Sequence, residues 1–355
     1  MRKVTMAGGR MKWVGGLALV LALLVAGLGW LAPAGVPPAL AGESGLNMAY
    51  LPWVPNDAPP PLPEFVLRIT PAGGLTASTY TPHSFQLSNN PASQLRITQV
   101  RIDLSTAAFM DMVYDPFGLA GDFVSKDVTI DYDPGVGFAG RLYDGFHDDG
   151  YDILTVGFND FDPGEEFHFS VDVDPTSIRG VPAPGPYESG SVSGMELSGA
   201  TVSVIFENGL VLTGRTWRMP GSLSGSELYL RAGLPPQPAV GVVGQPVLPA
   251  TVSDPNQVVR VSGPAGQRVT VLVIEGGQFT DGLPGGGFDI DPYEANSALG
   301  AQEFTATMWG GTVDIPITLS RTHVSGGYNM ILVVFKDGFG LAGPASPPIV
   351  LRLVN

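Results

Sequence analysis

Period-two alternation is the feature that most limits what this chain can become. Over residues 166–174, Phe167, Phe169, Val171 and Val173 alternate with His168, Ser170, Asp172 and Asp174. Val100, Ile102 and Leu104 alternate with Arg101 and Asp103, and Val202, Val204 and Phe206 with Thr201, Ser203 and Glu207. Such spacing sends one set of side chains to each face of a strand. Runs at 65–69, 153–158, 210–212 and 228–230 continue the pattern. Asn208-Gly209 separates two runs, a hairpin signal in which both turn residues take positive φ. No stretch shows a convincing amphipathic helical period. Many short strands and no helices predict an all-β chain built from antiparallel β-sandwiches.

Turn residues divide the chain. Gly (48) and Pro (33) approach a quarter of the 355 residues, yet 44% are hydrophobic, so the chain is turn-rich and globular rather than disordered. Residues 1–41 read as a secretory signal: a basic start with Arg2, Lys3, Arg10 and Lys12, an apolar run from about Trp13 to Leu31, and Ala39-Leu40-Ala41 before a cleavage point at Gly42. Residues 42–63 are a Pro-rich linker, extended because proline fixes φ. Residues 64–232 form the first β-sandwich domain. Residues 233–246 (GLPPQPAVGVVGQP) form a second linker. Residues 247–355 form a smaller, immunoglobulin-like β-sandwich with strands expected at 247–252, 257–262, 268–275, 303–308, 311–319, 328–335 and 348–354. Residues 269–274 are apolar almost throughout, as expected of a strand covered on both faces. In the long insertion at 276–302, Asp291-Pro292-Tyr293-Glu294 has the form of a helix start, with Asp291 as N-cap and Glu294 as its capping-box partner.

Charge and composition exclude several functions. The formal charge is −15, and −19 once the basic signal is removed. That surface repels phosphate backbones, so nucleic acid is not a partner. The chain has no cysteine, which excludes disulfides, thiolate metal sites and a cysteine nucleophile. Past the signal no stretch is long and apolar enough to cross a membrane as a helix. Zinc motifs, phosphate-binding loops and dinucleotide fingerprints are missing.

About a third of the carboxylates fall within 131–174. Hard cations such as Ca2+ take six to eight oxygen ligands, and glycine lets the backbone turn its carbonyls toward an ion. Asp144, Asp148, Asp149 and Asp152 in a glycine-containing loop, with Asp160, Asp162 and Glu165 around Pro163-Gly164, are therefore the candidate Ca2+ ligands. Asp281, Asp289 and Asp291 form a second candidate in the insertion. The competing account is a solvated acidic surface with aspartate as turn former. His168, Ser170 and Asp172 hold the residue types of a catalytic triad, but same-face neighbours on a strand are ~6.5–7 Å apart, too far for hydrogen-bond contact. With Asp174 they read as a solvent-facing polar row. Among aromatics crowding 109–151, which include Tyr114 and Phe117, Tyr143, Phe146 and Tyr151 are the candidates for stacking on a sugar ring.

The stretches LTVGFNDFDPGEEFHFSVDVDPTSI, GSVSGMELSGATVSVIFENG and GSLSGSELYL resemble a β-sandwich module of secreted, multi-domain bacterial proteins. That module occurs near malectin-like carbohydrate-binding domains. The stretch VRVSGPAGQRVTVLVIEGG, with the residues after it, is similar to the Ig-like module found in the same company. The resemblance covers most of the chain after residue 64, assigns no catalytic residues, and implies an extracellular, carbohydrate-related or cell-surface setting. No malectin-like domain is present. The expected function is a secreted, non-enzymatic binding or adhesion module, glycan-directed and Ca2+-stabilised, with glycans or cell-envelope components as partners. A structural spacer or surface-layer component is the alternative, and a glycoside-active enzyme the weaker one.

Overall fold

The computed structural model describes residues 62–72, 78–109, 111–176, 179, 190–222, 224–278, 288–289, 301–321 and 327–354. The expected signal, nearly all of the first linker, and the proposed helix start at Asp291 lie outside them, as do Asp281 and Asp291. Residues 56–355 form one compact unit. The unit is all-β.

The first sandwich contains β1 (Glu64–Ile69), β2 (Phe85–Asn89), β3 (Ile97–Asp103), β4 (Met112–Tyr114), β5 (Thr129–Tyr132), β6 (Phe138–His147), β7 (Gly150–Phe161), β8 (Glu166–Ser170), β9 (Val173–Pro175), β10 (Thr201–Phe206), β11 (Val211–Arg215), β12 (Trp217–Arg218) and β13 (Ser226–Arg231). One sheet runs β12-β13-β1-β2-β8-β5. The other runs β11-β10-β3-β7-β4-β9, with β6 also paired to β7. Inward residues such as Phe65, Leu67, Phe85, Leu87, Phe167 and Phe169 meet Val100, Ile102, Leu154, Val156, Val202 and Val204 in one core. The alternation predicts this arrangement, since every second residue must leave water together.

Two local expectations change. The run at 166–174 is not one strand: β8 belongs to the first sheet and β9 to the second. The chain crosses between sheets at Val171-Asp172, and alternation alone does not reveal a change of sheet. The Asn208-Gly209 turn has only Gly209 at positive φ, 82°. Gly209 N–H reaches Phe206 O and Phe206 N–H reaches Leu210 O, so the connection is a three-residue loop closed by a left-handed glycine rather than a two-residue turn.

The second sandwich contains β14 (Ala239–Val242), β15 (Ala250–Val252), β16 (Asn256–Ser262), β17 (Arg268–Gln278), β18 (Phe288–Asp289), β19 (Ala301–Thr307), β20 (Thr312–Thr318), β21 (Tyr328–Lys336) and β22 (Ile349–Leu353). Strand β14 lies inside the stretch expected as a linker and pairs with β16. Its Val240 and Val242 pack on the second core, which an alternating Val-Gly-Val segment can do despite flanking prolines. Pairing is antiparallel except β15 with β22.

The sheet of β17, β21 and β22 has two apolar faces. Val269, Val271 and Val273, with Ile331, Val333 and Phe335, face the second core. Leu272 and Ile274, with Met330, Leu332 and Val334, belong to the core of the first sandwich. The apolar run at 269–274 is thus covered on both sides, and the first sandwich supplies the second cover. Arg231 and Asp337, 2.8 Å apart, close this junction at its edge.

Candidate functional site

Strands β6 and β7 form a long hairpin, and this hairpin replaces the loop expected at 144–152. Its turn is Asp148-Asp149, both left-handed at φ 46° and 65°, a conformation that aspartate tolerates better than most residues. Asp144 and Asp152 therefore lie on strands. The hairpin acids have local partners. Asp149 Oδ2 accepts from Arg179 at 2.6 Å, and Asp148 lies 3.9 Å from the same guanidinium. Asp152 Oδ1 is 3.2 Å from His147 Nδ1, and Asp144 Oδ1 accepts the Gly145 N–H. Burial raises the Asp152 pKa, against the pull of His147.

The second acidic turn is engaged in the same way. Arg96 reaches Asp162 at 2.9 Å and Asp160 at 3.1 Å, and Glu165 Oε2 accepts the Asp162 N–H at 2.7 Å. Apart from Asp152, which is paired with His147 and whose Oδ1 accepts no hydrogen bond, the two acidic groups are occupied by arginines and backbone donors rather than turned to a common point. Among the described residues, no three His, Asp or Glu side chains stand around one point at metal-ligand spacing. Asp289 lies in β18.

The aromatic expectation meets a specific arrangement. Phe146 is the direct cross-strand partner of Tyr151, and their rings meet edge to face at 5.3 Å. Phe117 reaches the same ring at 6.4 Å, again edge to face, with the ring planes at 66°. Phe146 and Phe117 are 64% and 62% exposed. Tyr143 differs from Phe146. Like Tyr151 it is half-buried and packs against the core; it stands beside Tyr114, donates its hydroxyl to Asp127, and burial pushes its phenol up to about 12. It supports the platform from beneath. The platform is thus Phe117, Phe146 and Tyr151, on the hairpin and on the segment after β4.

That segment, 115–125, is held by one side chain. Asp115 is fully buried and accepts four backbone N–H groups, from Phe117, Leu119, Ala120 and Gly121, at 2.7–3.3 Å. Its exposed face carries Phe117, Leu119, Phe123 and Val124. Exposed apolar side chains grouped in this way mark interaction surfaces more often than scattered ones do.

The polar row expected to face solvent is in fact covered. Ser170 is fully buried, Asp172 is 3% exposed and Asp174 1%. The chain crosses between sheets here, and the 111–126 segment folds over the crossing: Asp172 N–H donates to Lys126 O, and Asp115 N–H to Asp172 O. Burial pushes both carboxyl groups well above the usual carboxylate range, and the neighbouring aspartates Asp122 and Asp115 push the same way. The alternation of the sequence points these two residues to solvent. The usable signal was the pair of acids immediately after a strand of phenylalanines, where a sheet crossing brings the polar face inside.

A cavity of about 170 Å3 lies where the sandwiches meet, lined by residues that include Arg215, Trp217, Glu227, Tyr229 and Phe339. Glu227 is the single carboxylate among them, and burial raises its pKa against the pull of Arg68.

No family model matches the chain, and no curated protein matches it. Among solved structures it is similar to a β-glucuronidase from Ruminococcus gnavus in complex with D-glucaro 1,5-lactone, at 9% identity and a TM-score of 0.21. The match covers 76% of this chain and 35% of that one. A complex of a β-glucuronidase from the same organism with an N1-substituted uronic isofagomine gives 9% identity and a TM-score of 0.22, over 76% and 36% of the two chains. The chain thus spans about a third of the structures it matches, and at these scores the likeness carries no argument.

Proposed function

We propose that this chain is a secreted, non-enzymatic surface-binding module that takes a neutral glycan on the Phe117–Tyr151–Phe146 platform. The observation that carries the reading is Tyr151 flanked edge-on by two rings that are each more than half exposed. Edge-to-face packing fixes the rings without covering them, so their outer surfaces are pre-organised for an apolar sugar face. The surrounding charge is acidic, which disfavours anionic ligands and leaves neutral glycans or cell-envelope polymers as fitting partners. Secretion follows from the leader read at residues 1–41, and export places the platform where such polymers occur.

A glycan array followed by calorimetry on the mature protein tests this. Phe146→Ala and Phe117→Ala should each weaken binding about five- to tenfold, near 1 kcal/mol per lost aromatic contact. Silence across a broad array at millimolar ligand would remove the glycan reading. A second reading, a rigid spacer in a surface assembly, is favoured by the sheet shared between the two cores. It predicts no ligand and no effect of either substitution.

A further inference from the structure

We propose that Asp122 and Asp174, with the charge of Asp172 beside them, hold one hard divalent cation, Ca2+ by size and ligand chemistry. The site differs from the acidic hairpin and turn described above, and the proposal does not depend on the glycan reading.

Unpartnered oxygen is the first support. Asp174 is 1% exposed, and neither carboxylate oxygen has a hydrogen-bond partner. The Asp122 backbone N–H lies near enough to ease its charge slightly without forming a hydrogen bond. Asp172 is 3% exposed with Oδ2 equally unpartnered. A carboxylate in such a place costs several kcal/mol of stability unless something neutralises it. Asp115, in the same segment, accepts four N–H groups. The fold therefore supplies donors to one buried aspartate and withholds them from its neighbours. The adjacent ammonium, Lys126 Nζ, donates to Tyr80 O at 2.6 Å and lies over the Tyr80 ring, so it acts on Asp172 only through its charge.

Convergence is the second support. A methyl group on Gly190 would stand 2.4 Å from Asp174 Oδ1 and 2.6 Å from Asp122 Oδ2. The two oxygens, from different segments, thus converge on Gly190, and only a glycine permits so close an approach. A methyl group on Gly121 would stand 2.5 Å from Asp174 Oδ2, so a second glycine bounds the other oxygen. Asp122 Oδ1 is held by the Val124 N–H at 2.6 Å, which leaves Oδ2 for this approach. Ca2+ accepts two or three carboxylates with carbonyls and water in irregular geometry, whereas Mg2+ demands a near-ideal octahedron. Asp122 and Asp174 are the carboxylate ligands, Asp172 supplies charge beside them, and carbonyl oxygens and water complete the shell.

Titration calorimetry of the mature protein with CaCl2, after dialysis against chelator, tests the assignment. One ion per chain should bind with Kd at or below about 10⁻³ M, and the melting midpoint should rise by about 5 °C at saturating Ca2+. Asp174→Asn and Asp122→Asn should each weaken binding at least about tenfold, while Asp148→Asn on the hairpin leaves it unchanged. Should Asp174→Asn fail to fold, Asp122→Asn decides, because its side chain lies on the partly exposed loop. No heat together with an unchanged midpoint at about 10 mM CaCl2 would overturn the proposal and leave Asp172 and Asp174 as a proton-sharing pair. Ca2+ binding that survives both substitutions would overturn the location.

Discussion

The hairpin tip and the sheet crossing are both rich in aspartate, and they resolve the same electrostatic problem in opposite ways. At the tip, Asp148 and Asp149 sit half in water and share Arg179. At the crossing, Asp172 and Asp174 are almost wholly buried, and Asp172 Oδ2 and both Asp174 oxygens accept no hydrogen bond. The number of acids in a stretch therefore says little about its chemistry. What matters is whether donors arrive, from a distant segment as Arg179 does or from the next few residues as the N–H groups on Asp115 do.

The sharpest way to probe this contrast is to remove the buried carboxylate at the crossing that four backbone donors satisfy. Asp115→Ala leaves four backbone N–H groups without their acceptor, and should destabilise the protein by about 3 kcal/mol. Urea unfolding measures it, and a loss below about 1 kcal/mol would mean that water replaces the carboxylate freely. Arg179→Ala and Arg96→Ala, which unpair the surface acids, should each cost no more than about 1 kcal/mol, and less as salt is raised. A cost for either that equals the Asp115 effect would erase the distinction between tip and crossing. Phe146→Ala should leave stability within about 0.5 kcal/mol while weakening glycan binding, which separates the platform from the core.

The smallest effect concerns His168, at the end of the same polar row. Its ring faces His83 Nδ1 at 3.3 Å, Glu166 at 3.6 Å, Asp131 and the Tyr132 ring. Burial and His83 lower its pKa, outweighing Glu166 and Asp131. The folded state thus binds a proton less readily than the unfolded one. Stability is complete above the ordinary histidine value of about 6.5 and falls as pH drops through it toward the lowered folded value. Melting midpoints between pH 5 and 7.5 should show a shallow acid-side decline that His168→Gln flattens. An equal slope in the variant assigns the decline to other groups.

Particular residues show how much was legible in sequence. Phe167, Phe169, Val100 and Val202 announced their faces because period two is a local property of a strand. The strands of the second sandwich stand close to where the apolar runs place them. Tyr143, Phe146 and Tyr151 were singled out together, and the hairpin does bring them together. That Phe146 is exposed while Tyr143 and Tyr151 are half-buried against the core depends on packing partners such as Tyr114, which the local pattern does not connect. Arg96 and Arg179 engage acids more than 60 and 29 residues away respectively, so no local reading could pair them. Asp172 and Asp174 were misread for the same reason. Their alternation is correct, but the segment that covers them is 111–126, and burial of a strand's second face is decided by what folds over it.

The sheet shared by the two cores has a mechanical consequence. In a string of independent beads, a pulling force opens one bead at a time, and each opening lengthens the chain while its neighbours hold. Here Leu272 and Val273, adjacent on one strand, sit in different cores. Peeling that strand exposes both at once, so the pair should yield in a single event at higher force than either sandwich alone would sustain. A chain held at a surface in flow would extend in one long step rather than two short ones.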